Sequence, residues 1–111
     1  MMYHRIFCGV GSNLGDRQSY IDRGTELLAR HPAIEIVRMS KYCETLPEGG
    51  PSQGPYLNGV LEIRSSLTPK ELLDVIHGIE KACGRTRAEE TRWGPRTLDL
   101  DILFYDSMIV E

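Results

Sequence analysis

The chain is 111 residues long, 41% hydrophobic and 26% charged, which fits one soluble domain with a modest core. Its net charge of −3 argues against a nonspecific nucleic-acid binder, and it holds neither an apolar run of membrane-span length nor a leader's cleavage pattern. Cys8, Cys43 and Cys83 lack metal-ligand spacing and predict buried free thiols, hence a reducing, cytoplasmic setting.

In chain order, residues 5–10 are short and apolar and predict a buried strand. Gly11-Ser12-Asn13-Leu14-Gly15-Asp16 is a turn into a helix. That helix carries Tyr20, Ile21, Gly24, Leu27 and Leu28 at helical spacing and stops at His31-Pro32. Residues 34–42 predict a second strand, and the Gly/Pro-rich stretch 45–55 a long loop of the kind that carries function. Residues 56–64 return to strand, with Tyr56, Asn58, Val60, Glu62 and Arg64 on one face. Thr68, Pro69 and Glu71 spell a capping box that opens a second helix. Leu72, Leu73, Val75, Ile76 and Ile79 form its apolar stripe, and Gly84 stops it. A polar loop spans 85–96, and residues 98–105 form a last strand. The order βαββαβ, with right-handed crossovers, predicts an α+β ferredoxin-like core: a four-stranded antiparallel sheet with two helices on one face.

Chemistry concentrates late in the chain. Asp99 and Asp101 sit two apart on a strand, so both carboxylates face one way, roughly 7 Å apart. Two like charges so placed repel, and a bound cation relieves that cost; hard oxygen ligands with room for phosphate suit Mg²⁺. A solvated strand face is the plain alternative. Arg85, Arg87, Arg92 and Arg96 crowd the preceding loop. Guanidinium forks bind phosphate oxygens; a solvated loop paired with Glu89 and Glu90 is the alternative. Tyr56 and Asn58 could clamp a flat heterocycle, or be ordinary half-buried strand residues. Trp93 lies in the arginine loop, where packing is its default role. The turn 11–15 is not a phosphate-loop motif. His77 and Glu80 lie in the second half of the second helix.

Together these pieces resemble 6-hydroxymethyl-7,8-dihydropterin pyrophosphokinases of folate biosynthesis. The carrying segments are residues 11–16, Thr45 with Pro47, Tyr56-Leu57-Asn58, Ile79-Glu80, Gly84-Arg85-Thr86-Arg87, and Arg92-Trp93-Gly94-Pro95-Arg96-Thr97-Leu98-Asp99-Leu100-Asp101-Ile102. The resemblance implies transfer of pyrophosphate from ATP to the reduced pterin, releasing AMP, with two Mg²⁺ ions held by Asp99 and Asp101. It implies that Arg85 and Arg92 support transfer from two loops that close over ATP. His77, Glu80, Arg87, Trp93, Arg96 and Ile102 would lie along the nucleotide. Gly11, Thr45, Leu46, Glu48, Tyr56 and Asn58 would line the pterin pocket.

The chain departs from the family pattern in three places. The stretch between Arg87 and Arg92 is one residue longer, His77 stands where Gln is common, and the chain stops at Glu111 without the family's C-terminal segment. The expectation is therefore a single domain over 1–111, the N-terminal core of the family fold, with weak or no activity as it stands. The resemblance implies a monomer; here, apolar sheet surface left bare would favour self-association. A non-catalytic nucleotide-binding or interaction module of the same fold is the competing expectation.

Overall fold

A computed structural model describes residues 3–13, 16–45, 55–84 and 98–109. Strand β1 (His4–Ser12) leads to helix α1 (Arg17–Arg30). Asp16 caps that helix by accepting the Ser19 N–H at 3.1 Å. Strands β2 (Ile34–Met39), β3 (Cys43–Thr45) and β4 (Tyr56–Ser65) precede helix α2 (Pro69–Ala82). The predicted capping box is formed: Glu71 N–H donates to the Thr68 hydroxyl at 3.2 Å, and Thr68 N–H to the Glu71 carboxylate at 2.9 Å. Gly84 follows α2 at φ 90°, a left-handed value that glycine adopts without Cβ strain. Strand β5 (Asp99–Tyr105) then turns into the short β6 (Met108–Ile109).

The sheet path is β2-β4-β1-β5-β6, antiparallel throughout, with β3 also pairing β4. The four strands β2-β4-β1-β5 have the ferredoxin-like order, and both predicted helices are present. Two details depart from the four-strand expectation. The strand predicted over 34–42 ends at Met39, and an unpredicted strand, β3, follows at Cys43–Thr45; both pair with one edge of β4. Ser40 bridges the break: its N–H donates to the Val60 carbonyl at 2.9 Å and its hydroxyl accepts the Val60 N–H at 2.8 Å. A side chain thus completes the ladder where the backbone turns away. The second addition, β6, returns through Asp106 at φ 55°; aspartate tolerates that conformation, so no glycine marked the turn.

Helices and sheet bury one core. Ile6, Cys8 and Val10 of β1 alternate into it, meeting Leu61 and Ile63 of β4, Leu100 and Ile102 of β5, Ile21 and Leu28 of α1, and Leu72 and Ile76 of α2. Burying each such side chain contributes about 1.5–3 kcal/mol. Of the cysteines, Cys8 and Cys83 are buried and all three are unpaired; Cys43 is exposed, against the expectation of burial, because β3 is an edge strand. Among the described residues no helix is long and apolar enough to cross a membrane.

The opposite face of the sheet has no helix over it among the described residues. Phe7, Val60 and Phe104 lie there, with Val60 and Phe104 exposed. Arg5 and Arg38 each donate at 2.9 Å to Glu62, whose side chain is 8% exposed.

Candidate active site

The candidate site is built on that open face, at the end of the sheet where β1 runs into α1. Directly paired residues of antiparallel strands share a face. The registers therefore define two rows: Asn58, Gly11 and Asp99, then Val60, Gly9 and Asp101. Asn58 and Asp99 are two strand spacings apart, roughly 9.6 Å, with only glycine between them.

Gly11 has to be glycine for reasons of space. A Cβ there would lie 2.7 Å from the Asn58 side-chain oxygen and 3.4 Å from the Leu57 carbonyl. Asn58 thus leans over bare β1 backbone toward the strand that bears the acids. Behind this row, Gly24 of α1 lets the helix approach Leu98, whose Cδ2 would be 2.7 Å from a Cβ at that position. Leu98 is fully buried and anchors the chain one residue before Asp99.

Asp99 is half-buried and Asp101 exposed, on one side of β5, with Leu100 and Ile102 buried on the other. The single face required of the acid pair is present. A β-bulge follows: Cys8 pairs Ile102 whereas Phe7 pairs Phe104, leaving Leu103 as the extra residue. Simple alternation over 98–105 would set Tyr105 beside the acids. The bulge reverses the parity, and Tyr105 turns into the core, where its hydroxyl donates to the Leu67 carbonyl at 2.5 Å. The negative field of Asp101 reaches through the sheet. Burial first, then that charge, pushes the Cys8 thiol up to about 12, so Cys8 is an inert core residue.

Tyr56 and Asn58 are half-buried on the same face of β4, and Thr45 pairs Tyr56 across β3 and β4. Gly11, Thr45, Tyr56, Asn58, Asp99 and Asp101 therefore lie at one end of the sheet. Three residues assigned to the nucleotide by resemblance are described, and they lie on the helix side of the sheet. Ile102 is 8% exposed and packs in the core; His77 is exposed on α2; Glu80, 1% exposed, accepts the Leu100 N–H at 2.9 Å. Leu46, Glu48, Arg85, Arg87, Arg92, Trp93 and Arg96 lie outside the described residues.

Arg17 was not singled out from sequence. Its guanidinium donates to Glu44 at 2.5 Å and to the Pro55 carbonyl at 2.9 Å. It ties the strand leaving β3 to the strand entering β4, closing the base of the loop between them. No motif marks this role, because both partners are distant in sequence. Among the described residues no three His, Cys, Asp or Glu side chains converge as a metal cage. A cation at Asp99 and Asp101 would need oxygens from a ligand, as Mg²⁺ bound with phosphates commonly does.

A family model described as 7,8-dihydro-6-hydroxymethylpterin-pyrophosphokinase (HPPK) matches residues 7–110. The chain belongs to this family. It is 44% identical over 110 residues to the 2-amino-4-hydroxy-6-hydroxymethyldihydropteridine pyrophosphokinase of Bacillus subtilis (strain 168), covering 99% of this chain and 65% of that protein. The namesake of Methylorubrum extorquens is 42% identical over 102 residues, covering 92% and 63% respectively. The bifunctional protein FolKE of Lactococcus lactis subsp. lactis is also 42% identical over 102 residues, there 29% of its length. The chain thus spans less than two thirds of the length of these relatives.

Proposed function

We propose that this chain supplies the catalytic core for the HPPK reaction: transfer of pyrophosphate from ATP to 6-hydroxymethyl-7,8-dihydropterin, releasing AMP. One observation carries the proposal above the others. Asp99 and Asp101 share a face of β5, separated from Asn58 only by glycine backbone. That arrangement sets an amide and two hard anionic ligands along one face of the sheet, the polar groups that a pterin and a triphosphate meeting there would use.

The donor set fits Mg²⁺: two carboxylates on one rigid strand, with phosphate oxygens to complete the shell. Bound there, Mg²⁺ would neutralise phosphate charge and hold the triphosphate in line with its acceptor. Tyr56 and Asn58 orient the pterin, the ring by stacking and the amide by hydrogen bonding. By resemblance, Thr45, Leu46 and Glu48 would also line the pterin pocket. Arg85 and Arg92, with Arg87 and Arg96, spread the charge that moves onto the leaving AMP. The pterin hydroxyl attacks the β-phosphorus, its bond to the α–β bridging oxygen breaks, and no covalent enzyme intermediate forms. Catalysis is positioning and charge neutralisation. The site belongs in the cytoplasm, where its unpaired cysteines stay reduced.

The test is AMP release from ATP, Mg²⁺ and the reduced pterin. Asp99→Ala and Asp101→Ala should each lower the rate about 100-fold or more, several kcal/mol of transition-state stabilisation. ATP binding by calorimetry without AMP release identifies a non-catalytic nucleotide-binding module instead. Release unaffected by both substitutions sinks the proposal.

A further inference from the structure

Arg17 is the first residue of α1, and its guanidinium reaches across to two strands at once. Nη1 donates to the Pro55 carbonyl at 2.9 Å and Nη2 to a Glu44 carboxylate oxygen at 2.5 Å. Glu44 is the middle residue of β3, and Pro55 directly precedes β4. The next residues in the chain are Thr45 and Tyr56, which pair with each other across the two strands. One side chain thus grips both strands one residue short of two positions proposed for the pterin.

The strands gain from such a grip. β3 is three residues long and meets β4 at three pairs, and a ladder so short opens easily by itself. Arg17 starts from a firmer base. Asp16 caps α1 by accepting the Ser19 N–H on its side chain and the Tyr20 N–H on its carbonyl, both at 3.1 Å. Ile21, Gly24 and Leu28 bury the same helix. The Arg17 side chain is 29% exposed and that of Glu44 55%, so charge attraction by itself contributes little. Geometry contributes more: a planar fork holds two acceptors at a fixed separation, which a single ammonium does not.

The direction of the contact also matters. Glu44 pairs Leu57, which pairs the buried Ser12 on its other side. That row faces the helices, and strand alternation turns Tyr56 to the open face. Arg17 therefore acts from behind the sheet. We infer that Arg17 is a positioning residue for the pterin: its forked grip on Glu44 and Pro55 sets how Thr45 and Tyr56 are presented to the flat heterocycle. Asp99 and Asp101 stand on β5, separated from β4 by β1, so the nucleotide is not governed by this contact. The inference rests on the pterin role proposed for Thr45 and Tyr56.

The test uses the full chain with Mg²⁺ and α,β-methylene ATP, which cannot transfer pyrophosphate. Calorimetry reads the affinity for this nucleotide, and a fluorescence titration in its presence reads the affinity for the reduced pterin. Arg17→Lys keeps the charge and loses the fork. Pterin should bind about tenfold more weakly, with nucleotide affinity within about threefold of wild type. Glu44→Gln leaves an acceptor oxygen for Nη2, so both affinities should stay within about threefold. A role in stability alone would lower Tm and weaken both ligands alike; that result in Arg17→Lys overturns the inference. So does a tenfold loss of pterin affinity in Glu44→Gln, which would put the charge of Glu44 in control rather than the fork of Arg17. Unchanged pterin affinity in Arg17→Lys removes the inference alone, whereas a wild-type chain that binds no pterin removes the proposed function with it.

Discussion

The two faces of one sheet differ more than any two separate elements of this molecule. Toward the helices, β1 presents Ile6, Cys8 and Val10, all at most 2% exposed. One residue over in each case, toward the open side, it presents Arg5, Phe7, Gly9 and Gly11. β5 repeats the contrast, with Leu100 and Ile102 behind and Asp99 and Asp101 in front. The two-residue strand period lets the same backbone carry a core and a site. Packing on one face holds the strands rigid, and rigidity is what a metal and phosphate site needs of its ligands. The open face tolerates glycine, paired acids and exposed aromatics because the other face supplies the stability.

That contrast breaks most visibly at Leu100. Leu100→Ala should destabilise the chain by about 2–5 kcal/mol in urea unfolding. A loss below about 1 kcal/mol would mean that the helix-side packing of β5 is not what holds the acids in place.

Gly11→Ala sharpens it from the open side. The new methyl meets the flexible end of Asn58 rather than a backbone wall at its closest point, so the stability cost should be only about 1 kcal/mol. Asn58 must move, however, and pterin affinity should fall about tenfold, the equivalent of one hydrogen bond. A fluorescence titration with the pterin reads this directly; unchanged affinity would remove Asn58 from the pocket.

The smallest effect concerns the charged end of the open face. The hydrogen bond from Arg5 holds the Glu62 carboxyl below its ordinary value of about 4.5, with the charges of Arg5 and Arg38 acting the same way. Its folded pKa is depressed, so its stabilising contribution is present above that ordinary value and is lost as pH falls through the folded value. Glu71, through the Thr68 N–H, and Asp106, through His4, shift in the same direction. Glu62→Gln should flatten the acid limb of a Tm-against-pH curve without abolishing it. An acid limb as steep as in wild type would show that the Arg5–Glu62–Arg38 pairing is fully screened.

The local chemistry of the chain was decided by sequence alone. The capping box at Thr68 and Glu71, the stops at Pro32 and Gly84, and the alternation that puts Asp99 and Asp101 together all depend on neighbours within a few residues. So did the βαββαβ order, and with it the sheet topology, since handedness and short connections leave few alternatives. Three features came only with tertiary structure, because each joins residues far apart in the chain. The bulge at Leu103 depends on how β5 meets β1, and it sends Tyr105 to the core. The break between β2 and β3 depends on Ser40 bonding to Val60 of β4. The burial of Glu80 behind β5, where it accepts the Leu100 N–H, depends on how α2 packs against that strand. Spacing along a chain settles which way a side chain points from its own strand; only packing between elements settles what stands behind it.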